Sequence, residues 1–307
     1  MKKHLFKQVS IIGLGLIGSS LALALKKNKL AGKTLGYAKS SNTRKKAKKL
    51  KLVDIVSDSL SKSVKDSDLI LICTPLSTYS KIVKNISMHV KKGAIISDVG
   101  SAKEKSIKQI ESFLDKKFEF IPAHPIAGTE KSGPESGFAE LFMNRWCIIT
   151  PIIGNSKKSV NKIKSLWKAL GSKTELMSPE RHDKVMAITS HLPHLIAYNI
   201  VSTAADLEDV TKSDIIKYSA SGFRDFTRIA SSDPTMWRDI FLNNKEAVLE
   251  MIGRFSEDLS ALQKAVRWDD GDRLFKLFSR TKKIREKIIT AGQDTEAADF
   301  GRSKRIK

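Results

Sequence analysis

Cysteine is almost absent from this sequence, and no apolar run is long enough to cross a membrane. Two cysteines among 307 residues, Cys73 and Cys147, are too few for a disulfide framework or a cysteine-rich metal site. The longest apolar stretch, residues 9–25, falls short of the roughly 20 residues that a membrane-spanning helix needs. There is also no zinc-ligand spacing, internal repeat or low-complexity segment. These absences argue against a disulfide-rich, zinc-centred or membrane-spanning protein.

Acidic residues are scarce relative to basic ones, and the imbalance is concentrated in the first part of the chain. There are 55 Lys and Arg against 33 Asp and Glu, a net charge of +22. Residues 1–177 hold 33 of the basic and 13 of the acidic residues, a net of +20. The composition, 41% hydrophobic and 29% charged, excludes wholesale disorder. The charge admits nucleic acid, anionic membranes or anionic small molecules as partners, and the length suggests about two domains.

The N-terminus has the outline of a secretory signal peptide, with a basic start, an apolar stretch and an Ala-Leu-Ala triplet at 22–24 that mimics a small-x-small cleavage site. Three glycines interrupt the apolar stretch with the spacing G-x-G-x-x-G, which is typical of a dinucleotide site that joins a strand to a helix. We therefore interpret this segment as part of a folded domain and expect a cytoplasmic protein.

The glycine motif follows a short β-prone run and precedes a good helix sequence. Its residues are Gly13, Leu14, Gly15, Leu16, Ile17 and Gly18. Gly13 permits a sharp turn, Gly15 lets the backbone approach a pyrophosphate, and Gly18 lets the helix pack closely on the strand. The helix N-terminus offers free N–H groups to that anion. We expect these six residues to bind the pyrophosphate of NAD or NADP.

Strands alternate with helices through the first half of the chain. Apolar runs predict strands near residues 9–12, 34–37, 69–73, 94–98, 120–123 and 146–150. This alternation predicts an α/β fold with a doubly wound, parallel, Rossmann-type sheet, whose ligands bind beyond the carboxyl ends of the strands. Cys73, Thr74, Pro75, Ser101 and His124 fall at such ends. We expect the first three to line the cofactor site, with the Cys73 thiol an inert packing group.

Helical periodicity dominates from about Ser178, where Ser178-Pro179 is typical of a helix start. We therefore predict a dinucleotide-binding domain over residues 1–177 and an all-α domain over residues 178–291. A second long helix is expected to start after Asp233-Pro234 and to run beyond Ala261. The polar residues 292–307 are predicted to form a disordered tail.

The segment after the second predicted strand contains no acidic residue that could bind a ribose 2′-hydroxyl. Lys39, Ser40, Thr43 and Arg44 stand there instead and could hold a 2′-phosphate. These residues could equally form a solvated helix start. The sequence leans slightly to NADP, or to use of both cofactors.

Among six histidines, His124 is the best candidate for a general base, because Pro125 favours an extended backbone at the end of a strand. The alternative is a loop histidine that bonds only to backbone. His191 and His194 are three residues apart, but no third ligand pattern accompanies them, so we expect no metal site.

Several motifs together resemble the prephenate and arogenate dehydrogenase family of tyrosine biosynthesis. They are the glycine motif at 13–18, Asp-Val-Gly-Ser-Ala-Lys at 98–103, His-Pro-Ile-Ala-Gly-Thr-Glu at 124–130, Ser-His-Leu-Pro-His at 190–194, Asp-Phe-Thr-Arg at 225–228 and Asp-Pro-Thr-Met-Trp-Arg-Asp at 233–239. The resemblance extends from about residue 8 to residue 290, and the combination is far more specific than any one motif.

The resemblance implies oxidative decarboxylation of a dicarboxylate substrate with hydride transfer to NAD or NADP. It implies that His124 accepts a hydrogen bond from the ring hydroxyl, and that Ser101 orients His124 and contacts the nicotinamide. It implies that Arg228 binds the ring carboxylate. Ser190, His194, Glu130 and Trp237 would complete the substrate pocket, although Trp237 could instead be a core residue. A homodimer formed through the helical domain is also implied, with no nucleic acid or membrane partner.

Two other functions remain open from the sequence. A two-domain β-hydroxyacid dehydrogenase would share the layout, but such enzymes rely on a catalytic lysine and lack the His-Pro-Ile-Ala-Gly stretch. A basic nucleic-acid-binding protein would explain the charge, but there is no basic helix pair and no strand with interleaved aromatic residues. The sequence does not distinguish prephenate from arogenate, or show whether tyrosine inhibits.

Overall fold

The computed structural model describes residues 4–114, 117–207 and 217–290. Its contacts divide the chain into two units, the first ending at Leu249 and the second starting at Glu250. The first unit contains two sheets and most of the helices.

Six parallel strands form the larger sheet. They are β1 (Phe6–Ile12), β2 (Ala31–Tyr37), β3 (Ile55–Ser57), β4 (Leu69–Ile72), β5 (Ile95–Asp98) and β6 (Glu119–Ile121). Their order is β3-β2-β1-β4-β5-β6. The winding direction reverses between β1 and β4, which creates a ligand-binding crevice beyond the carboxyl ends of these two strands. The predicted doubly wound parallel sheet is confirmed.

Helices cover both faces of this sheet. They are α1 (Leu16–Lys27), α2 (Ser41–Lys49), α3 (Leu60–Val64), α4 (Tyr79–Ile86) and α5 (Glu104–Glu111). Because successive strand residues point to opposite faces, Leu69 and Leu71 of β4 join one core cluster with α1. Ile70 and Ile72 join a second cluster with α4. Burial on both faces explains why β4 is a continuous apolar run.

A second, three-stranded sheet carries the segment that contains His124. It consists of β7 (Ala123–Pro125), β8 (Trp146–Ile149) and β9 (Lys173–Leu176), with α6 (Lys157–Ala169) between the last two. β7 runs antiparallel to β8, and β9 runs parallel to it.

The prediction that residues 120–123 form a strand of the parallel sheet is confirmed for residues 120 and 121, which lie in β6, whereas Ala123 begins β7 in the second sheet. The prediction that residues 146–150 belong to the parallel sheet was wrong, because β8 lies in the second sheet. The chain leaves the larger sheet at Pro122, which has no N–H to donate to a ladder. β9 was not predicted, because its side chains are mostly exposed and carry no apolar pattern.

Within residues 178–207 and 217–249, the structure is mainly helical. It contains α7 (Pro179–Met186), a π-helical turn (Ala187–His191), α8 (Leu192–Asp206), α9 (Ser221–Thr227), α10 (Pro234–Asn243) and the start of α11 (Lys245–Arg267). The Ser178 hydroxyl accepts the Arg181 N–H at 3.2 Å, which confirms the predicted helix start. The single long helix predicted after Pro234 is instead two helices, because Asn244 leaves the helical conformation with φ −116° and ψ 37°.

The described part of the second unit, residues 250–290, comprises the rest of α11 and α12 (Gly271–Thr290). The predicted tail at 292–307 lies outside the described residues. Among the helices of the described chain, none combines the length and the apolar character that crossing a bilayer requires.

Candidate active site

The glycine motif forms the turn between β1 and α1, where backbone atoms lie too close together for most side chains. Gly13 has φ +96°, and its N–H donates to the Tyr37 carbonyl at 2.8 Å. A Cβ on Gly13 would lie 2.5 Å from the Cys73 carbonyl oxygen, and one on Gly18 would lie 1.9 Å from the Gly13 oxygen. The fold therefore requires glycine at both positions.

Gly15 differs, because among the described residues no atom outside its own stretch of chain lies within 4 Å of the position that its Cβ would take. Gly15 is the N-cap of α1, no side chain caps this helix end, and its first turn has no acidic residue. The first N–H groups of α1 therefore face a space that a Cβ would enter. An anionic pyrophosphate fits this arrangement.

The side chains between these glycines contribute to the core rather than to a polar contact. Leu14 is buried, and Leu16 and Ile17 are half-buried against the cluster beneath α1. Their predicted contact with a cofactor is therefore one of backbone groups.

Cys73, Thr74 and Pro75 follow β4 and pass directly beside Gly13. Burial, with a smaller contribution from the charge of Asp98, raises the pKa of the Cys73 thiol far above its ordinary value. The thiol therefore remains protonated, in keeping with a packing role. The Thr74 and Thr78 hydroxyls lie 2.7 Å apart, which ties this loop to the start of α4.

The predicted ribose-binding residues form the N-terminal end of α2. Lys39 and Ser40 are exposed, and the Ser40 hydroxyl accepts the Thr43 N–H to cap the helix. Arg44 Nη1 donates to the carbonyls of Ala38 (2.6 Å) and Lys39 (2.8 Å). Arg44 therefore shapes this loop as well as adding positive charge to it.

His124 lies in β7, opposite Ile148 of β8, and is 9% exposed. The preceding residue, Ala123, is held at both backbone groups. Its N–H donates to Asp98 Oδ1 at 3.1 Å, and its carbonyl accepts from Lys103 Nζ at 2.7 Å. The backbone that carries His124 is therefore fixed from the end of β5.

The two residues that grip Ala123 form a fully buried ion pair, with Lys103 Nζ 2.6 Å from Asp98 Oδ2. The Tyr79 hydroxyl (3.0 Å) and the Gly100 N–H (2.9 Å) also donate to that oxygen. A buried charge pair needs such additional hydrogen bonds, because desolvation otherwise outweighs the attraction. Sequence analysis identified Lys103 and Asp98 only as parts of a motif.

The surroundings of His124 keep its imidazole neutral. Burial lowers its pKa well below the ordinary value, and the charges of His182, Lys103 and His191 act in the same direction. A histidine that accepts a proton must start neutral, so this electrostatic setting suits a general base.

A second histidine contacts His124, and sequence analysis missed it. His182 Nε2 lies 2.9 Å from His124 Nδ1, and His182 Nδ1 lies 2.7 Å from Asp183 Oδ1. The Lys103 and Glu104 N–H groups, at the start of α5, donate to Asp183 Oδ1 and Oδ2 at 2.8 and 2.9 Å. Burial is the largest cause that lowers the pKa of His182, and Asp183 opposes it.

Ser101 lies half-buried in the short connection between β5 and α5. The residue that contacts His124 Nδ1 is His182 rather than Ser101. The predicted role of Ser101 toward His124 and the nicotinamide stays a prediction.

The predicted substrate residues of the helical segment meet at Trp237. The His194 ring stacks on Trp237 with a centroid distance of 3.6 Å, and His194 Nδ1 donates to the Ser190 carbonyl at 2.8 Å. The buried His191 packs edge-on against the same indole, and burial lowers its pKa to about 4.

Arg228 and Glu130 are paired, with Nη1 of Arg228 3.0 Å from Oε2 of Glu130. Two donors of these predicted substrate residues, Arg228 Nε and Trp237 Nε1, are buried and have no hydrogen-bond partner within the described ranges. Buried N–H groups are nearly always paired, so these two are available to an anionic ligand. No group of three or more His, Cys, Asp or Glu in the described part of the chain is arranged to hold a metal ion.

Comparisons with known proteins give consistent results. Residues 21–176 match the prephenate dehydrogenase nucleotide-binding domain, and residues 178–280 match the prephenate dehydrogenase dimerization domain.

Three individual proteins are similar over nearly the whole chain. A cyclohexadienyl dehydrogenase of Zymomonas mobilis is 40% identical over 285 residues, covering 93% of this chain and 97% of the relative. A prephenate dehydrogenase of Bacillus subtilis is 34% identical, covering 91% and 75%. A crystal structure of prephenate dehydrogenase from A. aeolicus, in complex with hydroxyphenyl propionate and NAD+, superposes with a TM-score of 0.86 at 35% identity, covering 94% and 99%.

Proposed function

The chain belongs to the prephenate dehydrogenase family and is a nicotinamide-dependent dehydrogenase, and we propose that it oxidatively decarboxylates prephenate, arogenate or both. This proposal rests on the presence in the same unit of a neutral, nearly buried His124 and of two buried donors, Arg228 Nε and Trp237 Nε1, that have no hydrogen-bond partner among the described residues. The first suits a proton acceptor, and the second pair suits a carboxylate.

The proposed reaction assigns a proton transfer to His124. The substrate carries a hydrogen and a hydroxyl at ring C4, and a carboxylate across the ring. A nicotinamide cofactor, held by the glycine motif, would supply the acceptor for the C4 hydrogen, which leaves as hydride. His124 accepts the hydroxyl proton as the C4–O bond gains carbonyl character, and returns it to the phenolate oxygen that forms when carbon dioxide leaves. Aromatisation makes the reaction irreversible, and general-base help of this kind contributes roughly 10²–10⁴-fold.

Arg228 is proposed to bind the ring carboxylate through two parallel hydrogen bonds, which orients the ring as well as neutralising charge. Glu130 already occupies one side of this guanidinium, so the substrate would approach the remaining donors. We assign His194, Ser190 and Trp237 to the same pocket. Ser101 is assigned to the nicotinamide end.

For the cofactor, we propose NADP or dual use rather than strict NAD use. The support is the absence of an acidic side chain in residues 38–45 and the exposure of Lys39 and Ser40 there. A kcat/KM for NADP at least equal to that for NAD is expected. A kcat/KM for NADP far below that for NAD would contradict the proposal. In that case Lys39 does not bind a 2′-phosphate, and Lys39→Glu should leave the ratio of the two kcat/KM values unchanged.

We further propose a homodimer formed through a helical domain at residues 178–291, with the dinucleotide-binding domain at residues 1–177. The matched dimerization domain supports this assignment. So do large apolar side chains left exposed on the second unit, including Phe275 (73%) and Trp268 (68%). Light scattering should give twice the chain mass for the wild type and a single chain mass for Phe275→Asp. The cytoplasmic location stays a prediction from the N-terminal motif.

The test of the activity is an initial-rate assay of the purified protein with all four combinations of prephenate or arogenate and NAD or NADP. Formation of reduced cofactor with at least one combination is expected. The matched control is His89→Gln, which changes an exposed histidine remote from the site and should leave the rate unchanged. Failure of all four combinations would contradict the proposal.

A further inference from the structure

A chain of hydrogen bonds runs from the start of α5 to His124 through the side chains of Asp183 and His182, neither of which has a part in the proposed reaction. Asp183 accepts two N–H groups of α5, His182 contacts Asp183, and His124 contacts His182. The inference rests on the proposed function, because it concerns how His124 serves as the base.

Donor and acceptor roles along this chain follow from Asp183. Both of its carboxylate oxygens already accept backbone N–H groups, and an ionised carboxylate can only accept. His182 must therefore carry its proton on Nδ1, which leaves Nε2 without a hydrogen. In the contact between the two rings, His182 Nε2 is then the acceptor, and His124 Nδ1 is the donor.

We propose that His182 and Asp183 are positioning residues that hold His124 as the Nδ1–H tautomer, with Nε2 bare and available to the hydroxyl proton of the substrate. A neutral imidazole has one bare nitrogen, so fixing the proton on Nδ1 decides which atom can act as the base.

Burial of His182 and Asp183 excludes the alternative tautomers. His182 is fully buried, and Asp183 is 2% exposed, so water cannot substitute for either partner. With the opposite tautomers, the bare Nδ1 of His182 would face the Asp183 carboxylate, and two acceptors would oppose each other at 2.7 Å. Asn244 also donates to the Asp183 carbonyl at 2.8 Å, which fixes the backbone of this residue.

The same chain supports His124 after it has accepted a proton. The resulting positive charge is shared with His182 through their hydrogen bond and faces the carboxylate of Asp183. Lys103 and His191 also lie near His124 and disfavour its protonation, and the charge of Lys103 is itself paired with Asp98. The Cys147 thiol of β8 is uncharged, because burial raises its pKa. Asp183, which contacts His182, and Asp98, which pairs with Lys103, are the anions that oppose this effect.

The tautomer can be measured without any reaction. Nitrogen-15 NMR of the wild-type protein, labelled at histidine and assigned with His124→Asn, should show the proton of His124 on Nδ1. The Asp183→Leu variant, which offers His182 Nδ1 no acceptor, should no longer confine the proton of His124 to Nδ1. A wild-type His124 that carries its proton on Nε2 would overturn the proposal, whether or not the protein turns over either substrate.

Steady-state kinetics of variants provide a second test of the positioning role. Asp183→Leu should lower kcat by roughly 10²–10⁴-fold, the range of a general-base contribution, while KM for the cofactor stays near the wild-type value. His182→Gln keeps an acceptor for His124 Nδ1, whereas His182→Phe does not. The glutamine variant should therefore retain at least about tenfold more kcat than the phenylalanine variant, again from the general-base contribution.

Each variant is first checked for thermal unfolding and for binding of reduced cofactor. If Asp183→Leu does not fold, the comparison of His182→Gln with His182→Phe decides. Equal kcat for these two, or a wild-type kcat for Asp183→Leu, would overturn the proposal. A wild-type protein that is inactive with both substrates contradicts the proposed function, and the NMR arm then decides the tautomer alone.

Discussion

Replacing Gly15 and Gly18 separately by alanine should separate cofactor binding from folding. In Gly18→Ala, the added Cβ would lie 1.9 Å from the Gly13 oxygen, about 1.5 Å short of ordinary contact, so α1 must shift. Overpacking of this kind costs about 1–3 kcal/mol or more. In Gly15→Ala, the added Cβ meets no atom within 4 Å from the described parts of the chain beyond its immediate neighbours, so this variant should leave the unfolding free energy nearly unchanged.

The affinity for the cofactor should fall in Gly15→Ala, even though the stability of this variant is nearly unchanged. The Cβ that Gly15→Ala adds enters the space in front of the first N–H groups of α1, where the pyrophosphate is expected. A hydrogen bond to a charged group contributes about 1.5–3 kcal/mol, so the loss of one raises the Kd by about 10- to 100-fold. Fluorescence titration with reduced cofactor measures the Kd, and chemical unfolding measures the free energy.

Two results would refute this reasoning. One is an unchanged Kd in Gly15→Ala, which would place the pyrophosphate elsewhere. The other is wild-type stability in Gly18→Ala, which would show that α1 is not held against the turn as described.

The remaining predictions concern the reaction and acid stability. His124→Asn should lower kcat by roughly 10²–10⁴-fold with an unchanged cofactor Kd. A wild-type kcat for this variant, measured from initial rates of cofactor reduction, would exclude His124 as the base. Arg228→Lys keeps the charge but loses the paired donors, so steady-state kinetics should show mainly a higher substrate KM, and an unaltered KM would contradict the assignment. Because burial lowers the pKa of His191 to about 4, its protonation favours the unfolded chain as pH falls below about 6.5. The free energy of unfolding should therefore drop by about 3 kcal/mol between pH 7 and pH 4 from this residue, and His191→Gln should show a shallower pH dependence.

Local sequence patterns identified five of the six strands of the parallel sheet and missed the short, partly exposed β3 (Ile55–Ser57). The glycine motif fixes a turn through sterics within six residues, and β4 is apolar throughout because both of its faces are buried. Both signals lie in contiguous residues, so they can be found without knowledge of the fold.

The second sheet and the histidine pair could not be found in this way. Pro122 indicates a break, but not that the chain continues in another sheet. His124 and His182 are 58 residues apart, and they meet only because β7 and α7 converge on the start of α5. Such a contact depends on long-range packing, for which neither sequence position carries a local signal.

The net charge of +22 says less about function than the positions of individual cations do. Lysines such as Lys46 and Lys27 pair with Glu135 and Glu140 on the surface, and exposed pairs of this kind contribute little to stability. Lys103, which donates to the Ala123 carbonyl beside the proposed base, is instead fully buried and paired with Asp98. Position and burial therefore indicate function better than net charge does.

Product analysis tests the central claim most directly. The wild-type protein is incubated with prephenate, and separately with arogenate, and the reduced cofactor, carbon dioxide and aromatic product are counted in the same reaction. Oxidative decarboxylation with His124 as the base predicts equal amounts of all three from at least one substrate, and a rate lower by roughly 10²–10⁴-fold from His124→Asn. Reduced cofactor without carbon dioxide, or full turnover by His124→Asn, would contradict it.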